Sequence, residues 1–495
     1  MTDGINRKIT IGYLWNMLTN WLNRLVGLLS TLILIRLLDP IDFGVATLAM
    51  IVMTFFSMLA DSGTEKYVIR AKECTNELLN SAWSLNLLLK LVCGFVIALL
   101  SGHIAEFIRE PALEDVLLIC SLIPIISAFK NIGVLEFERR LNYKPLAQLT
   151  VAVKFCTFPV TIILAVLWQS YWALVVGLLV SELLTVIGSY KIHQYRPKLS
   201  VKNWGRQWGF SKWFLVSTTT GYIRSRIDVF LLGRYLPSSA VGTYRVSQEF
   251  AWLPFTELIS PATSSLYAGF SKIRENRQEL NKKTLNYLAV SYLLVTPSVF
   301  GIYALSEQFV SVLMGEQWLN AAPVLALLSI LMLSMPLNMA LQTVLINIDK
   351  VKYLVYIDLV MIGSILACFF LAYQRGIESI IVYTQIRVML ASLFILLLVL
   401  IFRLALGINI KGMMKVLLLP VPPALVMFNV LELAKNSIQL SDWLNLLILT
   451  ILGGSVYILL MLLIFIVFKS RLVEYELLHV IFKDHILSKL KRNKA

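Results

Sequence analysis

Nine basic side chains stand inside stretches of sequence that are otherwise almost wholly apolar: Arg24, Lys90, Lys130, Lys154, Lys212, Arg224, Arg226, Arg245 and Arg387. An ionised group in such surroundings is costly. It faces a protein interior or a wet cavity, or its stem carries the charge back to the surface. Lys130 and Lys212 lie near the ends of their stretches and can snorkel in this way. Arg24, Arg224 and Arg226 lie near the middle of theirs. Lys90 and Lys154 lie about 12 Å in from one edge, at 1.5 Å per helical residue. Five carboxylates accompany them: Glu182, Asp228, Glu249, Glu257 and Asp358. Arg224 with Asp228, and Arg245 with Glu249, are spaced i, i+4, so a plain structural ion pair explains each as well as a functional role does. The surplus is cationic. A common space lined by it would take an anion, and guanidinium forks suit phosphate oxygens. Glu257 and Asp358 have no Lys or Arg three or four positions away in the sequence and are the candidates for ion coupling, because burial can raise a carboxyl pKa toward neutrality. Protons and sodium are both open as the coupling ion, and nothing calls for another cofactor.

Other chemistry finds little support. The five cysteines are scattered, mostly in apolar runs, without metal or redox spacing. The four histidines (His103, His193, His479 and His485) fall in predicted loops or tails. No catalytic residue and no metal site is predicted, and the chain is not expected to be an enzyme.

The elements that position these charges are membrane helices. Of the 495 residues, 58% are hydrophobic and 15% charged, too few charges to cover a soluble surface. Apolar runs of about 20 residues recur along the chain, the length needed to cross about 30 Å of hydrocarbon. A barrel would show alternating segments of about 10 residues. The first run follows Arg7 and Lys8, is long, and contains Arg24, so it reads as a span and not as a cleavable signal. The pattern predicts an all-α integral membrane protein with about fourteen spans: 10–37, 42–60, 82–102, 114–136, 146–168, 171–191, 209–235, 240–265, 286–306, 320–346, 351–374, 379–403, 412–433 and 443–468. With that count, thirty Lys and Arg fall on one side of the membrane and five on the other; the remaining nine of the 44 lie inside spans. The positive-inside rule then places both termini in the cytoplasm. The net charge of +15 is therefore a topology signal. No basic domain outside the membrane exists to bind nucleic acid.

The chain also repeats. Arg36, Leu38 and Gly44, where the first span gives way to the second, recur at an offset of 198 as Arg234, Leu236 and Gly242, where the seventh gives way to the eighth. Later spans follow in step, with the offset drifting to about 208. Turns with Pro and Gly recur wherever helices meet, but six helix pairs in order do not. Two six-helix lobes are predicted, 1–208 and 209–404, followed by two extra helices and a basic cytoplasmic tail over 405–495. Six is even, so the repeat is parallel. Transporters place a pathway between two such halves and expose it alternately. Prolines inside the spans, among them Pro124, Pro159, Pro254 and Pro297, fit a bundle that bends but do not discriminate it from a static one.

Five segments carry a family resemblance. Arg36 to Gly44 resembles the first-hairpin motif of Wzx-type polysaccharide transporters in the multidrug/oligosaccharidyl-lipid/polysaccharide exporter superfamily. Asp61-Ser62-Gly63 is similar to their acidic-glycine turn, and Phe137 to Tyr143 to their basic loop after helix four. Tyr171 to Val175 resembles their start of helix six. Gly315 to Trp318, with Ala321, Ala322 and Pro323, resembles their opening of helix ten. The order and spacing span nearly the whole chain, and the subgroup looks like the colanic-acid exporters.

The resemblance implies a pair of helical lobes that flip an undecaprenyl-pyrophosphate-linked oligosaccharide across the bacterial inner membrane by alternating access, for exopolysaccharide, capsule or O-antigen (lipopolysaccharide) synthesis. It implies a cationic cavity lined by helices one and seven, with Arg24, Arg224 and Arg226 on the pyrophosphate and Lys90 and Lys154 near its mouth. Lipids and the polysaccharide polymerase machinery are the expected partners. Two alternatives remain. A drug or small-cation exporter of the same superfamily would want an acidic or neutral cavity. An integral-membrane glycosyltransferase or polymerase would want a large outer loop or paired carboxylates at the interface.

Overall fold

The computed structural model describes residues 2–60, 64–70, 74–140, 142–202, 204, 219, 222–223, 225–348, 350, 352–374, 379–435 and 441–468. Among the described residues it consists of helices and turns, without a β-strand. Ten helices are long and apolar enough to cross a membrane, eleven if Ala112–Ala128 and Ile132–Arg139, which meet at 61°, form one span. The all-α membrane architecture is as expected; the count of fourteen is not reached. The expected seventh span begins among residues outside the described set. The expected eighth is broken. Its regular helix, Ser238–Pro254, stops at a proline, passes through a π turn (Phe255–Ile259) and a 3₁₀ turn (Ser260–Ala262), and resumes as Thr263–Ile273. Proline removes a backbone donor, and the altered turns re-route the carbonyls it frees.

The surface shows what surrounds the bundle. Leu404, Phe95, Leu459 and Ile466 are each about two-thirds exposed or more, and a continuous apolar surface of this kind is stable only in lipid. Serine and threonine hydroxyls inside the helices turn back on the preceding turn: Thr54 donates to the Met50 carbonyl (2.7 Å) and Thr157 to that of Val153 (2.9 Å). Their polar groups are thereby satisfied without water.

The chain divides into two compact units, residues 1–242 and 243–495. The lobe boundary expected at 208/209 lies outside the described residues. The long helices of the first unit are α1 (Thr2–Leu37), α2 (Pro40–Ala60), α3 (Asn76–Ile108), α4 (Lys144–Trp168), α5 (Trp172–Ile192) and α6 (225–235); α7 (Ser238–Pro254) begins in it. Thr75 caps α3 by accepting from the Leu78 amide (3.2 Å), and Arg109, in the left-handed region at φ 64°, ends it. α4 packs on α5 and on α1.

After α5 the chain becomes a strap over 193–202 that is tied to the first unit. Asn131, fully buried, donates to the carbonyls of Tyr195 (2.8 Å) and His193 (3.3 Å) and accepts from the Gly133 amide (2.9 Å). The Asn80 carboxamide oxygen accepts from the Lys198 amide (2.8 Å) and the Tyr195 hydroxyl, and Ser84 accepts from the Ser200 amide (2.8 Å). The segment that leads from one predicted repeat toward the next is therefore held by side chains.

In the second unit, Arg277–Ala304 is central. It packs against Met335–Asn347 and Ile380–Leu406 through Leu288, Tyr292, Leu341 and Phe402. The two C-terminal helices, Val421–Lys435 and Asp442–Phe468, pack on each other and on the far end of the same helix, where the Tyr457 hydroxyl donates to the Leu293 carbonyl (3.0 Å).

Candidate functional site

The repeated turns meet. A methyl group added at Gly44 would overlap the Ser238 carbonyl oxygen and stand 3.0 Å from the Ser238 Cα. One added at Gly242 would overlap the Pro40 carbonyl oxygen and stand 2.8 Å from the Gly44 nitrogen. Positions 40 and 44 correspond to 238 and 242 at the 198 offset. Each glycine therefore lies against the partner repeat's equivalent of its own position 40. Such reciprocity is the signature of a two-fold contact, and only glycine lets two backbones approach so closely. Two helix N-termini converge at this point, each with a partial positive charge. Carboxylates attend them. Asp42 accepts from the amides of Asp39 (3.1 Å) and Tyr171 (2.7 Å), and Glu110 accepts from the Ser238 hydroxyl.

Away from that turn, α2, α3 and α6 line a half-open cavity of about 470 Å³. α6 faces it with Arg226, Ile227 and Phe230, Ile223 joins from just before it, and α3 contributes Leu100, His103, Ile104 and Phe107. The α3 quartet is spaced i, i+3, i+4, i+7, one face of a helix. α2 contributes Phe55 and Phe56. Phe107 and Phe230 stack with centroids 6.0 Å apart, and the Arg234 guanidinium sits 5.2 Å from the Phe107 ring. The Tyr222 hydroxyl donates to the Ile51 carbonyl (2.7 Å), which leaves its ring to the cavity. The wall is almost wholly carbon; half-buried Arg226 and exposed His103 meet it through their carbon atoms.

A second cavity of about 160 Å³ is polar. Lys90 and Asn86 of α3, Ser57 of α2, Ser127 and Glu65 line it. Lys90 and His103 are thirteen residues apart on α3, or about 20 Å along its axis. One helix thus reaches both cavities.

The predicted site residues do not form one cluster. Arg226 and Lys90 line separate cavities of the first unit. Arg24 stands on an exposed face of α1 beside Trp21 and Leu25, and Lys154 is half-buried on α4. Arg224, Asp61, Ser62 and Gly63 lie outside the described residues. Glu257 falls in the π turn and Asp358 on Lys352–Gln374, both half-buried. Arg245 and Glu249 form the expected ion pair at 3.9 Å. His103 corrects the sequence reading. It is not in a loop, because α3 continues to Ile108, six residues past the predicted span. Its position on the Leu100, Ile104 and Phe107 face was the available signal. Glu65 was missed for want of any pattern tying it to Lys90.

Residues 33–323 match a protein family described as polysaccharide biosynthesis protein. The succinoglycan biosynthesis transport protein ExoT of Rhizobium meliloti (strain 1021) is 25% identical over 333 residues, 67% of each chain. The lipopolysaccharide biosynthesis protein WzxC of Escherichia coli (strain K12) is 23% identical over 330 residues, 66% of this chain and 67% of that one. Among solved structures, the lipid II flippase MurJ in an inward closed conformation superposes with a TM-score of 0.72 at 15% identity, over 92% of this chain and 99% of that one; a likeness at that identity is one of fold.

Proposed function

The chain belongs to the polysaccharide biosynthesis protein family, and we propose that it is a flippase for polyprenyl-pyrophosphate-linked oligosaccharide repeat units. The observation that carries this is the reciprocal contact of the repeated turns at Gly44 and Gly242. It is a closed end built from equivalent pieces of two repeats, which is what alternating access needs at one mouth of a pathway. Below it, α3 offers basic groups at two depths, Lys90 and His103, and α6 adds Arg226. A pyrophosphate can pass between such stations without ever being left unpaired in a low-dielectric space.

The orientation follows from the charge asymmetry. Both termini lie in the cytoplasm, the membrane is the bacterial inner membrane, and the 37–40 turn is periplasmic. Arg226 and Arg24 hold the pyrophosphate, Arg224 supports them, and Lys90 and Lys154 receive it from the cytoplasmic side. Glu257 and Asp358 are the sites at which H⁺ or Na⁺ would couple. The glycan crosses in water, the polyprenyl chain stays in apolar surroundings, and no covalent bond changes. The product is handed to polymerase machinery.

The test is export. In a strain whose exopolysaccharide depends on this protein, Arg24→Ala and Arg226→Ala should each reduce export and cause lipid-linked repeat units to accumulate on the cytoplasmic leaflet. Normal export at normal protein level would remove the two arginines from the mechanism.

A further inference from the structure

The larger cavity fits none of the polar parts of such a substrate. A sugar placed there would bury hydroxyls against phenyl rings and aliphatic side chains, where no acceptor or donor awaits them. Water is excluded by the same argument, since it needs two or more polar partners. The cavity is suited to hydrocarbon. Its 470 Å³ equals the space of about fifteen water molecules at ~30 Å³ each, and so of a chain of roughly fifteen carbons.

We propose that this cavity, walled by α2, α3 and α6, seats the phosphate-proximal isoprenoid units of the polyprenyl carrier. The inference deepens the reading given above and rests on it. One feature separates a polyprenyl phosphate from an ordinary phospholipid. Arg226 adds almost only carbon to this wall, so its guanidinium serves an anion at the cavity's edge, where a phosphate joined directly to the chain would stand. In a phospholipid, glycerol and two esters intervene, and their carbonyls would find no donor along Ile223, Ile227 and Phe230.

The seat is tested on the full-length protein in nanodiscs with four probes: farnesyl phosphate, dimethylallyl phosphate, inorganic pyrophosphate and phosphatidylglycerol. Each buried methylene is worth roughly fourfold in affinity. Farnesyl phosphate should therefore bind at least tenfold more tightly than dimethylallyl phosphate. Leu100→Trp and Ile104→Trp fill the cavity and should erase that chain-length advantage while leaving pyrophosphate binding unchanged. A farnesyl phosphate bearing a photoreactive group, used on the unaltered protein, should label α3 around residues 100–107. Labelling elsewhere, or a chain-length advantage that survives both tryptophans, would overturn the seat. Equal competition by phosphatidylglycerol, lost in the same variants, would make it a general lipid site and also overturn the proposal. Failure of pyrophosphate to bind, or indifference of its binding to Arg226→Gln, would instead count against the arginine as anion anchor. The chain-length comparison reads the seat independently of that result.

Discussion

Replacing Gly44 with alanine should hold the repeated turns apart. The added methyl would overlap the Ser238 carbonyl oxygen and lie 3.0 Å from the Ser238 Cα. Both are backbone atoms, so no side chain can swing aside. The two helix starts must separate by about an ångström or more, and overpacking of this kind costs about 1–3 kcal/mol. That cost falls only on the state in which the turns touch. At 1.36 kcal/mol per factor of ten, the ratio of parted to touching molecules should rise by about 5- to 150-fold. Ser238, 5% exposed, is the reporter position. In a background with the five native cysteines replaced, Ser238→Cys should react slowly with a membrane-impermeant maleimide. Adding Gly44→Ala should speed the reaction by the factor just derived, and Gly242→Ala should do the same through the Pro40 carbonyl. The double variant should fall short of the product of the two, because both methyls relieve the same contact. Gly27→Ala, with nothing within 4 Å of the new methyl, is the control. Labelling no faster in Gly44→Ala than in Gly27→Ala would refute the turn contact as a closure.

Three further outcomes are expected. Asn131→Ala removes two hydrogen bonds that tie the strap and one that caps the 132–134 turn, each worth about 1 kcal/mol; the purified protein should lose about 2–3 kcal/mol of stability, and trypsin should cut faster after the exposed Lys198. Tyr222→Phe loses the hydroxyl that donates to the Ile51 carbonyl and should lower stability by about 1 kcal/mol in a thermal melt, while leaving the ring against the cavity. Burial lowers the His193 pKa from 6.5, with Arg140 and Arg196 acting in the same direction and Glu136 against them. The folded strap therefore binds its proton less readily than the unfolded chain. The stability due to neutral His193 is complete above pH 6.5 and declines as the pH falls below it. Proteolysis at Lys198 should accelerate on acidification in the wild type and stay flat in His193→Gln.

The charges within the helices are legible because a membrane makes them conspicuous. Arg226 and Lys90 stood out in apolar runs, and both line cavities. The repeat was legible as Arg36 with Gly44 and Arg234 with Gly242. The reason for its glycines was not, since the contact joins backbones 198 residues apart. His103 was hidden by the end of an apolar run. Helix α3 continues to Ile108, where Arg109 turns left-handed and ends it, and the side chains at 103–107 alternate between polar and apolar too quickly for a hydropathy window. Span eight misled in the opposite direction. Hydropathy is blind to the hydrogen-bond register, and around Pro254 and Pro261 a continuous apolar stretch divides into four segments of three kinds, α, π and 3₁₀.

The turn contact and the cavity are mechanically one object. α6 touches α2 where Gly233 packs on Leu48, and two residues beyond α6's end Leu236 and Pro237 lead into Ser238 at the turn. Three residues earlier on α6, Phe230 stacks on Phe107, and Arg234 covers the other partner of that stack. Residues 225–235 form one unbroken helix, which transmits displacement along its length because its internal hydrogen bonds are shorter-ranged and more numerous than its outside contacts. Parting the turns must therefore draw Phe230 from Phe107 and widen the cavity beside Arg226. A ligand that fills the cavity and holds those rings together stabilises the touching state by its differential affinity and by no more than that. The cavity and the turn contact are thus linked through a single helix, with Arg226 at one end and Ser238 just past the other.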